Sequence, residues 1–246
     1  MADKNGGLIS CCRYAYPPNS LRLCGPDAKT DLSYYSSLGF ADLGTKEILG
    51  QFSTLYPYLL LIAVENSLSD PFDPRVIEAY WLGNSLLNKV SKRAYINHLT
   101  ETVGLKRKVC KKDLNKILNK FYWRAFPHHS FHVLNIYQRT GHQNIPHTIA
   151  SMDACLVNWE KIIEVLPDKI KVKSQRLAVS NNNLFMEKNI ERTVRFQNAD
   201  DRGAKKLKAG DIISCHWGIL CQKISARQQK NLEYFTSLSI HLANTH

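Results

Sequence analysis

Apolar and polar positions change period near the middle of the chain. From Leu43 onward the apolar residues recur at helical spacing, with Ile48, Leu49, Phe52 and Leu55 on one face after a Thr45 cap, and residues 58–66 continue the pattern. The segment Ser69-Asp70-Pro71-Phe72-Asp73-Pro74 breaks that helix, and Asp73 before Pro74 predicts a cap with proline at the first helical position. A helix is expected from residue 75 to about 90, carrying Ile77, Tyr80, Trp81, Leu82, Leu86 and Leu87. Further helices are expected over 94–102 and 112–123, and a last one opens at Phe126. Residues 1 to about 30, rich in Gly, Pro, Ser and Asn, are expected to be irregular, although 21–27 is apolar enough to pack.

A loop at 141–146 ends the helical pattern, and from Cys155 short alternating runs follow at 161–165, 169–172, 177–179, 184–188 and 192–196. Asn181-Asn182-Asn183 and residues 198–203 are the turns between them. The last run, 209–220, begins with the turn signal Gly210-Asp211 and has the length and β-branched content of a strand. Alternation places Ile213, Cys215, Trp217, Ile219 and Cys221 on a core face, and Ser214, His216, Gly218 and Leu220 on the other. Gly218 would leave the His216 ring without a bulky neighbour, so that a partner could approach. Short strands at close spacing imply a small closed or nearly closed barrel, which removes exposed edges. Residues 226–243 form an amphipathic helix, with Leu232, Phe235, Leu238, Ile240 and Leu242 able to pack on it. The expected fold class is therefore α+β, multidomain: residues 1–150 an all-α helical domain, residues 151–246 a small β-barrel with a C-terminal helix.

Composition narrows the function classes. The 246 residues include seven cysteines, an odd number with no CxxC pair, which argues against a disulfide framework or a zinc ribbon and fits free thiols in a reducing compartment. Residues 1–7 lack the apolar core of a secretory signal, and the apolar run at 59–64 is too short to span a bilayer, so a cytoplasmic protein is expected. The net charge of +12 raises nucleic acid as a partner. Its distribution opposes that: residues 1–150 carry 18 Lys and Arg against 11 Asp and Glu, residues 151–246 carry 15 against 10, and the basic runs are not interleaved with aromatics.

His128 and His132 are four apart, a spacing that can grip a metal on one helix face. No Glu follows His128, so the metalloprotease version of the pattern is absent. Cys24, Asp27, His129, His142 and His147 are available as further ligands, and packing or capping histidines are the default reading. No catalytic residue is assigned.

Two motifs in the second half, in order, carry a resemblance. Cys155-Leu156-Val157-Asn158-Trp159-Glu160 opens a strand, and Gly210-Asp211-Ile212-Ile213-Ser214-Cys215-His216-Trp217-Gly218 follows some 60 residues later. Over about 90 residues this resembles the HypC-type chaperones of nickel-iron hydrogenase maturation, small OB/SH3-like barrels with a trailing helix. The resemblance implies that Cys155 and His216 help hold iron carrying cyanide and carbon monoxide ligands. The binding would be transient and shared with an iron-scaffold maturation protein, and the iron would pass to the hydrogenase large-subunit precursor. A thiolate is a soft donor suited to low-spin iron, and a nearby imidazole can lower the thiol pKa. This sequence departs from that family in two ways. Cys155 is internal, so its backbone nitrogen is in a peptide and cannot be a ligand, and Trp159-Glu160 replaces a Pro-Gly. Residues 1–150 resemble an uncharacterised bacterial family associated with hydrogenase gene clusters. The expected function is a metallochaperone, more an assembly factor than an enzyme. The alternatives are a metal-dependent enzyme of the helical half supplying ligand or one-carbon chemistry to the same pathway, and a nucleic-acid-binding barrel.

Overall fold

The computed structural model describes residues 6–136, 142–143, 145–197 and 206–245. The turn expected at 198–203 lies outside the described residues, as does part of the loop expected at 141–146.

The largest difference from expectation is at the start of the chain. Gly6–Ser20 is a helix, α1, in which Cys11, Cys12, Tyr14 and Ala15 are almost wholly buried. Glycine at its start and Pro17-Pro18 in its last turn oppose helix formation locally, by about 1 and about 3 kcal/mol per residue in a helix interior. Tertiary burial of the Cys and Tyr positions overrides that preference.

Helices α2 (Lys29–Leu38), α3 (Leu43–Gly50), α4 (Leu55–Glu65) and α5 (Pro74–Trp81) follow. Thr45 is the third residue of α3 rather than its cap. Asp42 caps the helix, accepting from the Thr45 amide at 2.9 Å, while Thr45 Oγ1 accepts from the Asp42 amide. Asp73 caps α5 as expected, with Pro74 in the first turn. The long helices expected from periodicity are each interrupted. One breaks between α3 and α4, whose axes meet at 104°. Another breaks after α5 at Gly83, where φ is +84°; the chain resumes there as a 3-10 helix, Ser85–Lys89. The backbone of Gly83 lies directly under the Phe235 ring, at a distance that leaves no room for a Cβ. Helices α6 (Lys92–Asn97), α7 (Leu105–Lys108) and α8 (Lys111–Asn119) lead to α9 (His129–Phe131), which widens into π turns at His132–Ile136. No helix among the described residues is long and apolar enough to cross a membrane.

After α10 (Ile149–Cys155) the chain forms a five-stranded sheet: β1 (Asn158–Val165), β2 (Lys169–Ser180), β3 (Asn183–Arg195), β4 (Ile212–His216) and β5 (Ile219–Lys223). Four of the short runs expected from alternation are two long strands, β2 and β3, joined by the tight turn Asn181-Asn182, both residues having positive φ. The strand order is β1-β2-β3-β5-β4, and β4 pairs back onto β1, so the order closes on itself. The seam between β3 and β5 is a single parallel pair, Arg195 with Ile219. Ile162, Ile170, Val172, Val194, Ile213, Cys215 and Leu220 fill the interior.

The run containing His216 is not one strand. Trp217 and Gly218, with φ of +52° and +69°, form a hairpin turn between β4 and β5. Gly218 therefore serves the turn and does not clear space beside His216. The turn also resets the alternation: Cys215 faces the sheet interior as expected, but Leu220 joins it there, while Ile219 and Cys221 pack into the core shared with the helices.

That shared core bears on the boundary expected near residue 150. Leu59, Tyr80 and Phe131 of the first segment belong to one apolar cluster with Trp159, Ile219 and Phe235 of the second. The two segments are continuous in their packing. The last helix, α11 (Ala226–Ala243), has the expected bounds, and it packs against α9 and the π turns as well as against β1 and β3.

Candidate metal centre

The outer face of β4, expected to be an open surface, is covered by α1. Tyr14 Oη and Ser214 Oγ are 2.7 Å apart, and His216 Nδ1 donates to the Tyr14 carbonyl oxygen at 2.8 Å. That bond fixes the tautomer of His216: its proton is on Nδ1, and Nε2 carries a lone pair. His216 is 1% exposed, and Nε2 is a buried nitrogen that makes no hydrogen bond of normal geometry among the described residues. Such an atom costs free energy unless something accepts its lone pair.

Cys155 closes α10 immediately beside this ring. The amide of Trp217 donates to the Ala154 carbonyl at 2.8 Å, tying the β4–β5 turn to the end of α10. Asp153, two residues before the cysteine, holds the other side. One of its oxygens accepts from the Leu177 amide at 2.6 Å, and the other pairs with Arg192 at 2.6 Å. The helix end is thus pinned to β2, to β3 and to the hairpin.

The third group comes from the helical segment. His129 Nε2 donates to the Cys155 carbonyl at 2.8 Å, which leaves Nδ1 as an acceptor, 3.3 Å from Tyr80 Oη. One nitrogen from each of His129 and His216 and the Cys155 sulfur lie within 4.8 Å of one another. Two neutral imidazoles and one thiol at this separation are a borderline-to-soft donor set, suited to iron or zinc rather than to magnesium or calcium. An imidazole N–H held by a backbone carbonyl is the usual support for a metal-binding ring. Burial lowers the pKa of both rings, that of His216 to about 4 and that of His129 well below its ordinary value, with the neighbouring His216 adding to the effect on His129. Both rings are therefore neutral, as ligands must be, across the physiological range.

A cavity of about 40 Å³ adjoins the three groups, walled by apolar side chains with Tyr80, Trp81, Cys24, His132 and His147 on its lining. It has room for roughly three water-sized groups. Trp81 forms one wall, its ring centroid 4.5 Å from that of His129 and 5.5 Å from that of His216, and Tyr14 stacks behind it at 5.1 Å.

The structure brings together Cys155, His216 and His129 and places Cys24 and His132 at the edge of the same cavity. The His128/His132 pair does not act as an i, i+4 clamp. His128 precedes α9 in extended backbone, accepts from the Ser130 amide at 3.2 Å as a cap, and stacks on Phe235. His132 Nδ1 instead meets Tyr58 Oη at 3.0 Å. Asp27 is at the surface, paired with Arg22 at 3.5 Å, and cannot serve the centre. Trp81 and Tyr80 had no distinguishing signal in the sequence, where they are two apolar positions of a helix. Glu160 was also missed. It is a buried carboxyl on β1 that accepts from Ser174 at 3.0 Å, and burial raises its pKa.

A family model described as "Family of unknown function (DUF6390)" matches residues 3–246. No curated protein and no solved structure matches the chain.

Proposed function

We propose that this chain, which belongs to the DUF6390 family, binds a transition-metal ion through Cys155, His129 and His216 and works as an assembly factor in nickel-iron hydrogenase maturation. The observation that carries the metal half is the convergence of the three side chains, one of them with a buried nitrogen that makes no hydrogen bond of normal geometry among the described residues, beside a small cavity. The hydrogenase half rests on the order of the Cys-Leu and Gly-Asp-to-His-Trp-Gly motifs and on the closed five-stranded order with its trailing helix, which we read as a small HypC-like barrel.

In this reading the metal is cargo: iron with cyanide and carbon monoxide ligands. Cys155 supplies a thiolate, the two rings supply neutral nitrogens, and the apolar cavity takes the small ligands and excludes water. Because Cys155 is an internal residue, His129 replaces the backbone nitrogen that an N-terminal cysteine could offer. The hydrogenase large-subunit precursor and the iron-scaffold protein are the partners.

The test is infrared spectroscopy on protein isolated anaerobically from cells expressing a hydrogenase operon. Cyanide and carbon monoxide stretching bands that vanish in Cys155→Ala are expected, with co-purification of the precursor lost in the same variant. Stoichiometric metal without those bands would retain the metal site and overturn the hydrogenase assignment. In that case a metal-dependent enzyme is the second reading, because three protein ligands facing a cavity leave a position open for substrate.

A further inference from the structure

A second cleft, of about 440 Å³, lies between the end of α8 and Thr245, just beyond α11, lined by Lys116, Asn119, Lys120, Tyr122, Trp123 and Thr245. Lys120 is 9% exposed, and its ammonium has one hydrogen-bond partner among the described residues, the Asn135 side-chain oxygen at 2.7 Å. The Asn135 amide is itself oriented by a bond from Nδ2 to the Ser239 carbonyl at 3.1 Å. An ammonium has three protons to donate, and among the described residues no carboxylate pairs with this one. Burial disfavours its charge, and the neighbouring Lys116, of the same sign, adds to that effect. Beside it stand two large aromatic rings turned to solvent, Tyr122 at 79% and Trp123 at 62% exposure. Lys92 covers the Tyr122 ring at 4.3 Å, which leaves the Trp123 ring for an incoming group.

We propose that this cleft binds a small organic anion carrying an aromatic ring, with the anionic group on Lys120 and Lys116 and the ring against Trp123. A buried ammonium with no counter-ion among the described residues gains from an anion that supplies charge and acceptors. A cleft of this size suits a small ligand. Carboxylate and phosphate would be recognised by the same donors, and the flat ring would gain stacking and cation–π contacts in the basic surroundings. The site stands on its own observations and does not depend on the metal centre.

The test is titration of the full-length protein at pH 7, read by tryptophan fluorescence, with adenosine monophosphate as the phosphate-bearing arm and 4-hydroxybenzoate as the carboxylate-bearing arm. Trp123→Phe assigns the signal among the four tryptophans. One of the two anions should saturate the Trp123 signal and bind roughly tenfold or more tightly than inorganic phosphate. Lys120→Met, which keeps the apolar stem, should weaken it by a similar factor. Burial lowers the Lys120 pKa to about 8, so affinity should fall as pH rises through that value and the ammonium loses its proton. Should Lys120→Met fail to fold, the pair Lys116→Ala with Trp123→Ala alters exposed side chains only and must show the same loss. The absence of a saturable signal from either anion at millimolar concentration overturns the proposal, as does undiminished binding in Lys120→Met or in that pair.

Discussion

His129 donates its Nε2 proton to the carbonyl oxygen of Cys155 across 2.8 Å, joining two residues 26 apart in sequence. One bond therefore sets the tautomer of one candidate ligand and the position of another. It also ties the helical segment to the sheet at the point where the metal would sit.

Metal affinity should depend on all three ligands, with the thiolate dominant. Apo protein titrated with cobalt(II) under anaerobic conditions is expected to bind one equivalent with a thiolate-to-metal charge-transfer band. That band should be absent in Cys155→Ser. His129→Ala and His216→Ala should each weaken binding by about 10- to 100-fold, on the scale seen when metal-site groups are removed. Wild-type affinity in both histidine variants would remove the rings from the site.

Stability should fall on acidification in a defined window. Burial holds the pKa of His216 and His98 at about 4 and that of His128 at about 3, below the ordinary 6.5, and it also lowers that of His129 well below 6.5. The unfolded chain therefore takes up protons that the folded chain refuses. Stability is fully present above pH 6.5 and is lost as pH falls from there toward 4. For a group such as His216 the linkage is on the order of 3 kcal/mol. Urea midpoints measured between pH 7.5 and 4.5 should drop steadily, and His98→Phe should flatten part of the slope.

Gly83→Ala should destabilise the fold without touching the metal centre. The added methyl would meet the Phe235 ring at 2.1 Å, and the residue has a φ of +84°. Left-handed strain of about 1–2 kcal/mol adds to overpacking of about 1–3 kcal/mol. Urea denaturation should show the loss, and Phe235→Leu in the same chain should recover part of it.

Asp153→Ala should weaken metal binding through position alone. The carboxylate touches neither ligand ring, but it pins the end of α10 to the Leu177 amide and to Arg192. Its removal takes the ion-pair partner from Arg192, which is about a quarter exposed, and leaves the buried Leu177 amide without its acceptor, a cost of about 2–4 kcal/mol. Cobalt affinity should fall about tenfold, while the charge-transfer band at saturation keeps its wild-type form. An altered band would mean that Asp153 changes the ligand set.

Much of the architecture was legible because local chemistry and final structure agree. The Asp73-Pro74 cap, the Asn181-Asn182 turn and the bounds of α11 rest on short-range preferences that the fold leaves intact. Where they conflict, the sequence pattern misleads. The glycines and prolines of α1 oppose a helix that burial then enforces, and Trp217-Gly218 hides a hairpin inside an apolar run.

By itself the sequence determined that helices precede strands, that the cysteines are not arranged as a disulfide or ribbon framework, and that Cys155 and His216 were the pair to examine. Only the tertiary structure decided that His129 joins them, that His128 does not, and that α1 shuts the histidine strand away from solvent. The reason is physical. Periodicity records which side of an element is apolar, whereas ligand geometry depends on which elements meet, and that is decided by a core shared between residues more than 200 positions apart.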